Sequence, residues 1–175
     1  MIKAKKSLGQ NFLIDKNIIK KITEVIDVYN ENVLEIGPGT GNLTEAILEK
    51  KPKKFITIEK DNELALKIKE KFKDKIDLIN KDILDLDENL LSEDKLIVFG
   101  NLPYNISTEI ISKWIVNLED KFWFENLVLM FQKEVADRII SEYNSSKYGR
   151  LSVLANWKLN IKKIIDIKPN CFSPK

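Results

Sequence analysis

A mostly parallel α/β sheet is the fold this 175-residue chain predicts, and three observations predict it. Short β-branched apolar runs alternate with segments whose apolar residues recur at helical spacing, the pattern of repeated strand–helix–strand units. A glycine-rich turn, Gly37-Pro38-Gly39-Thr40-Gly41, follows the first strong strand run and leads into a helical one. Hydrophobic residues make up 43% of the chain, enough for one sizeable core, and no shift of composition marks a second domain.

Taken in order, Asp15 is an N-cap candidate for a helix over Asp15–Ile26, where Ile18, Ile19, Ile22, Val25 and Ile26 share one stripe. Strands are predicted at Val33–Ile36, Lys54–Ile58, Ile76–Asn80, Lys95–Phe99 and Asn126–Phe131. Helices are predicted between and after them at Asn42–Lys51, Asn62–Phe72, Ser107–Asn117 and Lys133–Glu142. Leu151–Asn160 and Ile161–Ile167 are β-rich and adjacent, which predicts an antiparallel hairpin at one edge of the sheet. There is no internal repeat or low-complexity tract. The closing Phe172-Ser173-Pro174-Lys175 has no capping element, which reads as a domain boundary.

Composition excludes several chemistries. The chain has no histidine and one cysteine, Cys171. Ser-His-Asp and Cys-His catalysis and thiolate or imidazole metal sites are therefore impossible within it, and no resident metal is expected. No apolar run approaches the roughly 20 residues that span a bilayer, and the start is too polar for a signal-peptide core, so a cytoplasmic protein without membrane contact is expected. The formal net charge is only +2, but it is unevenly spread. Residues 1–21 carry six lysines against Asp15, and residues 158–175 carry five against Asp166, whereas 82–94 hold six acids and no base. If the two basic ends meet in space, they form a face for a polyanion.

Two motifs carry the chemistry. After the strand Val33–Ile36, the glycines let the backbone turn tightly and approach a ligand. A dinucleotide fingerprint wants a third glycine where Asn42 stands, which weakens a pyrophosphate reading. A sulfonium nucleoside has no phosphates; it has a ribose diol, an adenine amine and an amino-acid tail. Glu59 ends the second strand, placed to accept from both ribose hydroxyls, and Asp82 follows the third, placed to accept from the adenine amine. The alternative is a glycine turn with two solvated acids.

The second motif, Asn101-Leu102-Pro103-Tyr104, follows the fourth strand. An exocyclic base amine is a poor nucleophile because its lone pair is conjugated into the ring. An Asn oxygen and a backbone carbonyl accepting its two N–H groups favour a pyramidal nitrogen and aim the lone pair. Pro103 fixes that carbonyl and has no N–H of its own. Tyr104 can stack on the base and favours the developing positive charge. Direct displacement from a sulfonium needs positioning more than a strong base, so the missing histidine is no obstacle. An ordinary strand-to-helix turn is the alternative.

With these residues in hand, the chain resembles the ribosomal RNA adenine dimethyltransferases over nearly its whole length. The resemblance rests on Lys6-Ser7-Leu8-Gly9-Gln10-Asn11-Phe12-Leu13, on Phe99–Thr108 around the second motif, on Gln132-Lys133-Glu134-Val135 and on Tyr148-Gly149-Arg150-Leu151-Ser152-Val153. These stretches are similar to the bacterial small-subunit branch. The erythromycin-resistance branch, usually with Ile at the place of Leu102, is the runner-up. The resemblance implies a Rossmann-like class I S-adenosylmethionine-dependent methyltransferase fold, a mostly parallel seven-stranded sheet with an antiparallel edge hairpin.

It implies S-adenosylmethionine as cofactor and, as substrate, two adjacent adenosines near the 3′ end of small-subunit RNA, each methylated twice on the amine. The partner is then that RNA or the assembling small subunit, and the protein a monomer. By resemblance Asn11 and Leu13 contact the cofactor's tail or ribose, Gly37 and Gly39 line it, Glu59 takes the ribose and Asp82 the adenine. Asn101, Leu102, Pro103 and Tyr104 hold the target base, with Asn101 also near the cofactor. Phe172 stacks on the base's opposite face, and Lys3, Lys5 and Lys6 contact RNA phosphates. Residues 1–175 are then the catalytic domain without the family's small helical C-terminal domain. A non-catalytic RNA-binding assembly factor of the same fold and a protein or small-molecule amine methyltransferase are the other classes; the four residues Glu59, Asp82, Asn101 and Tyr104 speak against the first and the basic ends against the second.

Overall fold

The computed structural model describes residue 5 and residues 8–118 and 122–174. The elements run β1 (Phe12–Leu13), α1 (Lys16–Thr23), β2 (Asn32–Ile36), α2 (Asn42–Leu48), β3 (Lys54–Ile58), α3 (Asn62–Phe72) and β4 (Asp77–Ile79), then β5 (Leu96–Asn101), α4 (Ser107–Val116), β6 (Phe124–Met130), α5 (Lys133–Ile139), α6 (Arg150–Lys158) and β7 (Phe172–Ser173). Strands β2 to β6 form one all-parallel sheet in the order β4-β3-β2-β5-β6. The chain moves outward from β2 in one direction and then restarts on its other side at β5. The switch point therefore lies between β2 and β5, where a crevice opens at the carboxyl ends of an α/β sheet.

Alternating side chains dress the two faces. Leu34, Ile36, Ile56, Ile58, Leu96 and Val98 point into a core closed by Ile110, Ile111, Trp114 and Ile115 of α4 and by Leu151 and Ala155 of α6. Val33, Phe55, Ile97 and Phe99 point the other way, against Ile19 and Ile22 of α1, Leu43 and Ile47 of α2, and Ile68 and Phe72 of α3. Fully burying one such side chain contributes roughly 1.5–3 kcal/mol, so the sheet is held from both sides and its carboxyl ends are fixed in place. Asp15 caps α1 as expected, accepting from the N–H groups of Asn17 at 2.9 Å and Ile18 at 3.1 Å.

Two expectations are corrected. Residues 150–158 are helix, not strand: Leu151, Leu154 and Ala155 recur at helical spacing and pack on the α4 side of the sheet. Ser152 fixes the start of that helix, its Oγ accepting from Gly149 N–H at 3.1 Å and donating to the Arg138 carbonyl at 2.6 Å. Residues 161–167 adopt no regular structure and carry the chain back across the molecule. The antiparallel edge hairpin is therefore absent among the described residues, and the main sheet has five strands rather than seven. The remaining two, β1 and β7, form a separate antiparallel pair with Phe12 opposite Ser173 and Leu13 opposite Phe172. That pair brings residues 12–13 beside residues 172–173.

Candidate active site

A cleft opens at the switch point, at the carboxyl ends of the central strands. Its floor is the turn after β2 and the end of β5. Its walls include Glu59, Asn42 and Leu43, and the segment from Leu8 to Leu13 crosses it. Ile36 sits opposite Gly100 in the sheet, which puts Gly37 beside Asn101. Gly37 and Gly39 have φ of +66° and +57°. A Cβ at Gly39 would stand 2.8 Å from the Phe12 ring, so a larger residue there would drive the crossing segment away.

Glu59 is 7% exposed. One carboxylate oxygen accepts from Gly39 N–H at 3.2 Å and the other from Asp61 N–H at 2.9 Å. Burial raises its pKa above the usual carboxylate range, and the two N–H bonds work against that rise. Each carboxylate oxygen has a second acceptor site, so the group still has capacity for two hydroxyls. Glu35 lies deeper: burial pushes it up to about 8, against the opposing bond from Thr44 Oγ1 at 2.7 Å. It is a neutral acid at neutral pH.

At the other end of the cleft, the Asn101 amide NH2 donates to the backbone carbonyl of Asn11. A carbonyl accepts only a donor, so this contact decides which way the amide faces and leaves Asn101 Oδ1 buried with no partner. Asn11 in turn donates from Nδ2 to Tyr104 Oη at 3.1 Å, and its own Oδ1 is also buried without a partner. Leu102 is 0% exposed and packs into the core beneath the motif, so what it can offer a ligand is its backbone carbonyl. Pro103 lines the cleft with Asn105 and Ile106.

Half of the residues implied by the resemblance meet here: Asn11, Leu13, Gly37, Gly39, Glu59, Asn101 and Pro103 line one cleft. Tyr104 stands behind Asn11, tied to it. Three differ from expectation. Asp82 does not line the cleft; Lys60 pairs with its carboxylate. Burial works against the Asp82 charge, but the Lys60 and Leu84 N–H bonds outweigh it and hold the carboxyl below the ordinary range. Phe172 is 7% exposed, packed with Leu13 and Cys171 in the core under β1, and its ring presents no face to a base. Lys5 turns inward onto Asp61, with Nζ at 2.8 Å, so its charge is met by the protein rather than left for RNA. Lys3 and Lys6 lie outside the described residues.

Sequence reading also missed cleft residues. Asn42, noted only as a departure from a glycine pattern, donates from Nδ2 to the Leu13 carbonyl at 2.8 Å and so secures the crossing segment at the start of α2. Gln10 and Asp61 anchor it at the other side. Nothing in the sequence pairs Gln10 with residue 61.

A five-stranded parallel sheet with its cleft at the switch point, an acid at the end of β3 and an Asn-Leu-Pro-Tyr motif at the end of β5 define a domain of the Rossmann-like methyltransferase fold. The chain belongs to the ribosomal RNA adenine dimethylase family, whose model matches residues 1–175. It is 65% identical over 174 residues, 99% of its length, to a protein of Pelagibacter ubique (strain HTCC1062) named ribosomal RNA small subunit methyltransferase A, covering 66% of that relative. A Wolbachia protein of the same name is 45% identical over 179 residues, with 100% of this chain and 65% of the relative covered. The chain thus spans about two thirds of the length of these relatives. Among solved structures, a dimethyladenosine transferase from Plasmodium falciparum matches with a TM-score of 0.81 at 29% identity, over 93% of this chain and 58% of the other. The 23S rRNA methyltransferase ErmE matches with 0.64 at 28% identity, over 82% of this chain and 55% of the other.

Proposed function

We propose that residues 1–175 are the catalytic domain of an S-adenosylmethionine-dependent enzyme that converts two adjacent adenosines near the 3′ end of small-subunit ribosomal RNA to N6,N6-dimethyladenosine during subunit maturation. The observation that carries this reading is Asn101 Oδ1: a buried acceptor without a partner, at the end of the strand next to the glycine turn. A buried unmet acceptor costs free energy until a donor arrives, and an exocyclic amine is such a donor.

The residues present fit the cofactor. Glu59 has acceptor sites to spare for a ribose diol, the glycine turn leaves room for its close approach, and Asn11 Oδ1 is a second unmet acceptor for a polar tail. Bound there, the sulfonium supplies an electrophilic methyl group. Asn101 Oδ1 and the Leu102 carbonyl accept the two N–H bonds of the adenine amine and hold its lone pair toward that methyl. Tyr104, its ring oriented by Asn11, stacks on the base and favours the charge that builds on nitrogen. In this reading Lys3 and Lys6 contact RNA phosphates. The partner is the small-subunit RNA, free or in an assembling subunit, the compartment is the cytoplasm, and the protein works as a monomer.

The test is transfer of labelled methyl from S-adenosylmethionine to unmethylated small subunits, with large-subunit RNA in parallel and nucleoside analysis of the product. Dimethyladenosine in the small-subunit RNA alone is expected. Label only in large-subunit RNA would place the protein in the resistance branch. No label in either RNA would contradict the enzymatic reading.

A further inference from the structure

The cleft is roofed by the segment from Leu8 to Leu13, which no strand of the main sheet holds. At the target end its anchors are the Asn11 carbonyl on Asn101 and the Asn11 amide on Tyr104. At the cofactor end the Asn42 amide holds the Leu13 carbonyl, and a second anchor comes from one side chain of the α3 cap. Asp61 accepts from Gln10 Nε2 at 2.9 Å and from Lys5 Nζ at 2.8 Å, although these residues are 51 and 56 positions away. Gln10 Oε1 accepts from Lys5 N–H at 2.8 Å, which closes the three residues into one network.

Asp61 is also the N-cap of α3, accepting from Glu63 N–H at 2.9 Å and Leu64 N–H at 3.4 Å. Capping requires one acceptor oxygen and no charge, and Asn does it as well as Asp. The second oxygen and the negative charge are therefore surplus to the helix and are directed at the roof. The side chain is 2% exposed, so its charge is committed to these partners rather than to water. The Asp61 backbone N–H meanwhile donates to Glu59, which links the ribose carboxylate to the same anchor.

We propose that Asp61 is a positioning residue: through Gln10 and Lys5 it fixes the roof over the cofactor end of the cleft and, through the roof, the contacts of Asn11 with Asn101 and Tyr104. This rests on the cofactor reading above. The test uses Gln10→Ala, which leaves the α3 cap untouched, and Asp61→Asn, which keeps the cap but discharges the anchor. Three quantities are measured: affinity for S-adenosylhomocysteine by calorimetry, amide hydrogen exchange, and Tm. In both variants exchange is expected to rise selectively in residues 8–13, and affinity to fall about 10-fold, the loss expected for a charge-assisted anchor. Tm is expected to move by less than ~4 °C. Unchanged exchange and affinity would overturn the role, as would an affinity loss that tracks a general loss of protection and Tm. If the wild-type chain itself did not bind, the cofactor reading and this inference would fall together, whereas wild-type binding with unaltered variants would overturn the positioning role alone.

Discussion

The two ends of the cleft are built on opposite terms. At the glycine-turn end the acceptors that line the cleft have protein partners: Glu59 accepts from two backbone N–H groups, Glu35 from Thr44, and the Leu13 carbonyl from Asn42, although Thr57 Oγ1 beside Glu35 has none. At the target end the Asn101 amide oxygen is buried with no partner. The first end holds its shape without a ligand, so cofactor binding has little reorganisation to impose. The second keeps an acceptor unmet until a base amine arrives, and an interaction made at the reacting nitrogen is the kind that raises a rate rather than an affinity.

The sharpest way to break this contrast is Asn101→Ala. It is expected to lower single-turnover methyl transfer by about 10²–10³-fold, the range for removing one group aimed at developing charge, while affinity for S-adenosylhomocysteine changes far less. Equal losses in the two measurements would mean that the ends are not separate in function. Glu59→Gln should do the reverse, weakening cofactor affinity by about 10–100-fold through a lost charged acceptor, with a smaller effect on the rate at saturation. Asp82→Asn, at a residue already paired with Lys60 and partly exposed, is expected to weaken affinity by only ~2–5-fold. Calorimetry on both variants checks the ranking, and an Asp82 effect as large as that of Glu59 would put Asp82 in the cleft.

A smaller effect separates Glu35 from its neighbours. Between the ordinary carboxylate value of 4.5 and its raised value of about 8, the folded chain keeps a proton on Glu35 that the unfolded chain has released. The folded state binds more protons there, so this group makes stability fall as pH rises through that window and level off above it. Glu35→Gln retains an acceptor for Thr44 Oγ1 without the titration. Its thermal stability should nearly match wild type at about pH 5 and exceed it increasingly toward pH 8. An advantage that shrinks as pH rises would show that Glu35 is ionised in the fold.

Much of the cofactor end was legible in the sequence because it is local. The glycine turn, the strand before it and the acid ending the next strand lie in short stretches whose pattern reports their structure, and strands β2 to β6 fall within a few residues of expectation. The rest depends on contacts between distant segments. Asp61 meets Gln10 across 51 positions. Glu88, in what reads as a bare acidic run, is 5% exposed and accepts from Lys113 Nζ at 2.8 Å and Trp114 Nε1 at 2.7 Å. Phe172 reads as a ring available for stacking until its register with Leu13 buries it. The helix at 150–158 departs from the sequence expectation for a different reason. Its β-branched neighbours at 161–167 suggested a hairpin, whereas the recurrence of Leu151, Leu154 and Ala155 decided the outcome.

The central claim, one cleft with a preformed cofactor end beside an unmet acceptor for the target amine, is tested most directly by a crystal structure of this chain with S-adenosylhomocysteine. The account predicts the ribose hydroxyls on Glu59, the ligand under the Leu8–Leu13 roof, and Asn101 Oδ1 still free to face an incoming base. A ligand bound away from Glu59, or one whose own donor satisfies Asn101 Oδ1, would contradict it.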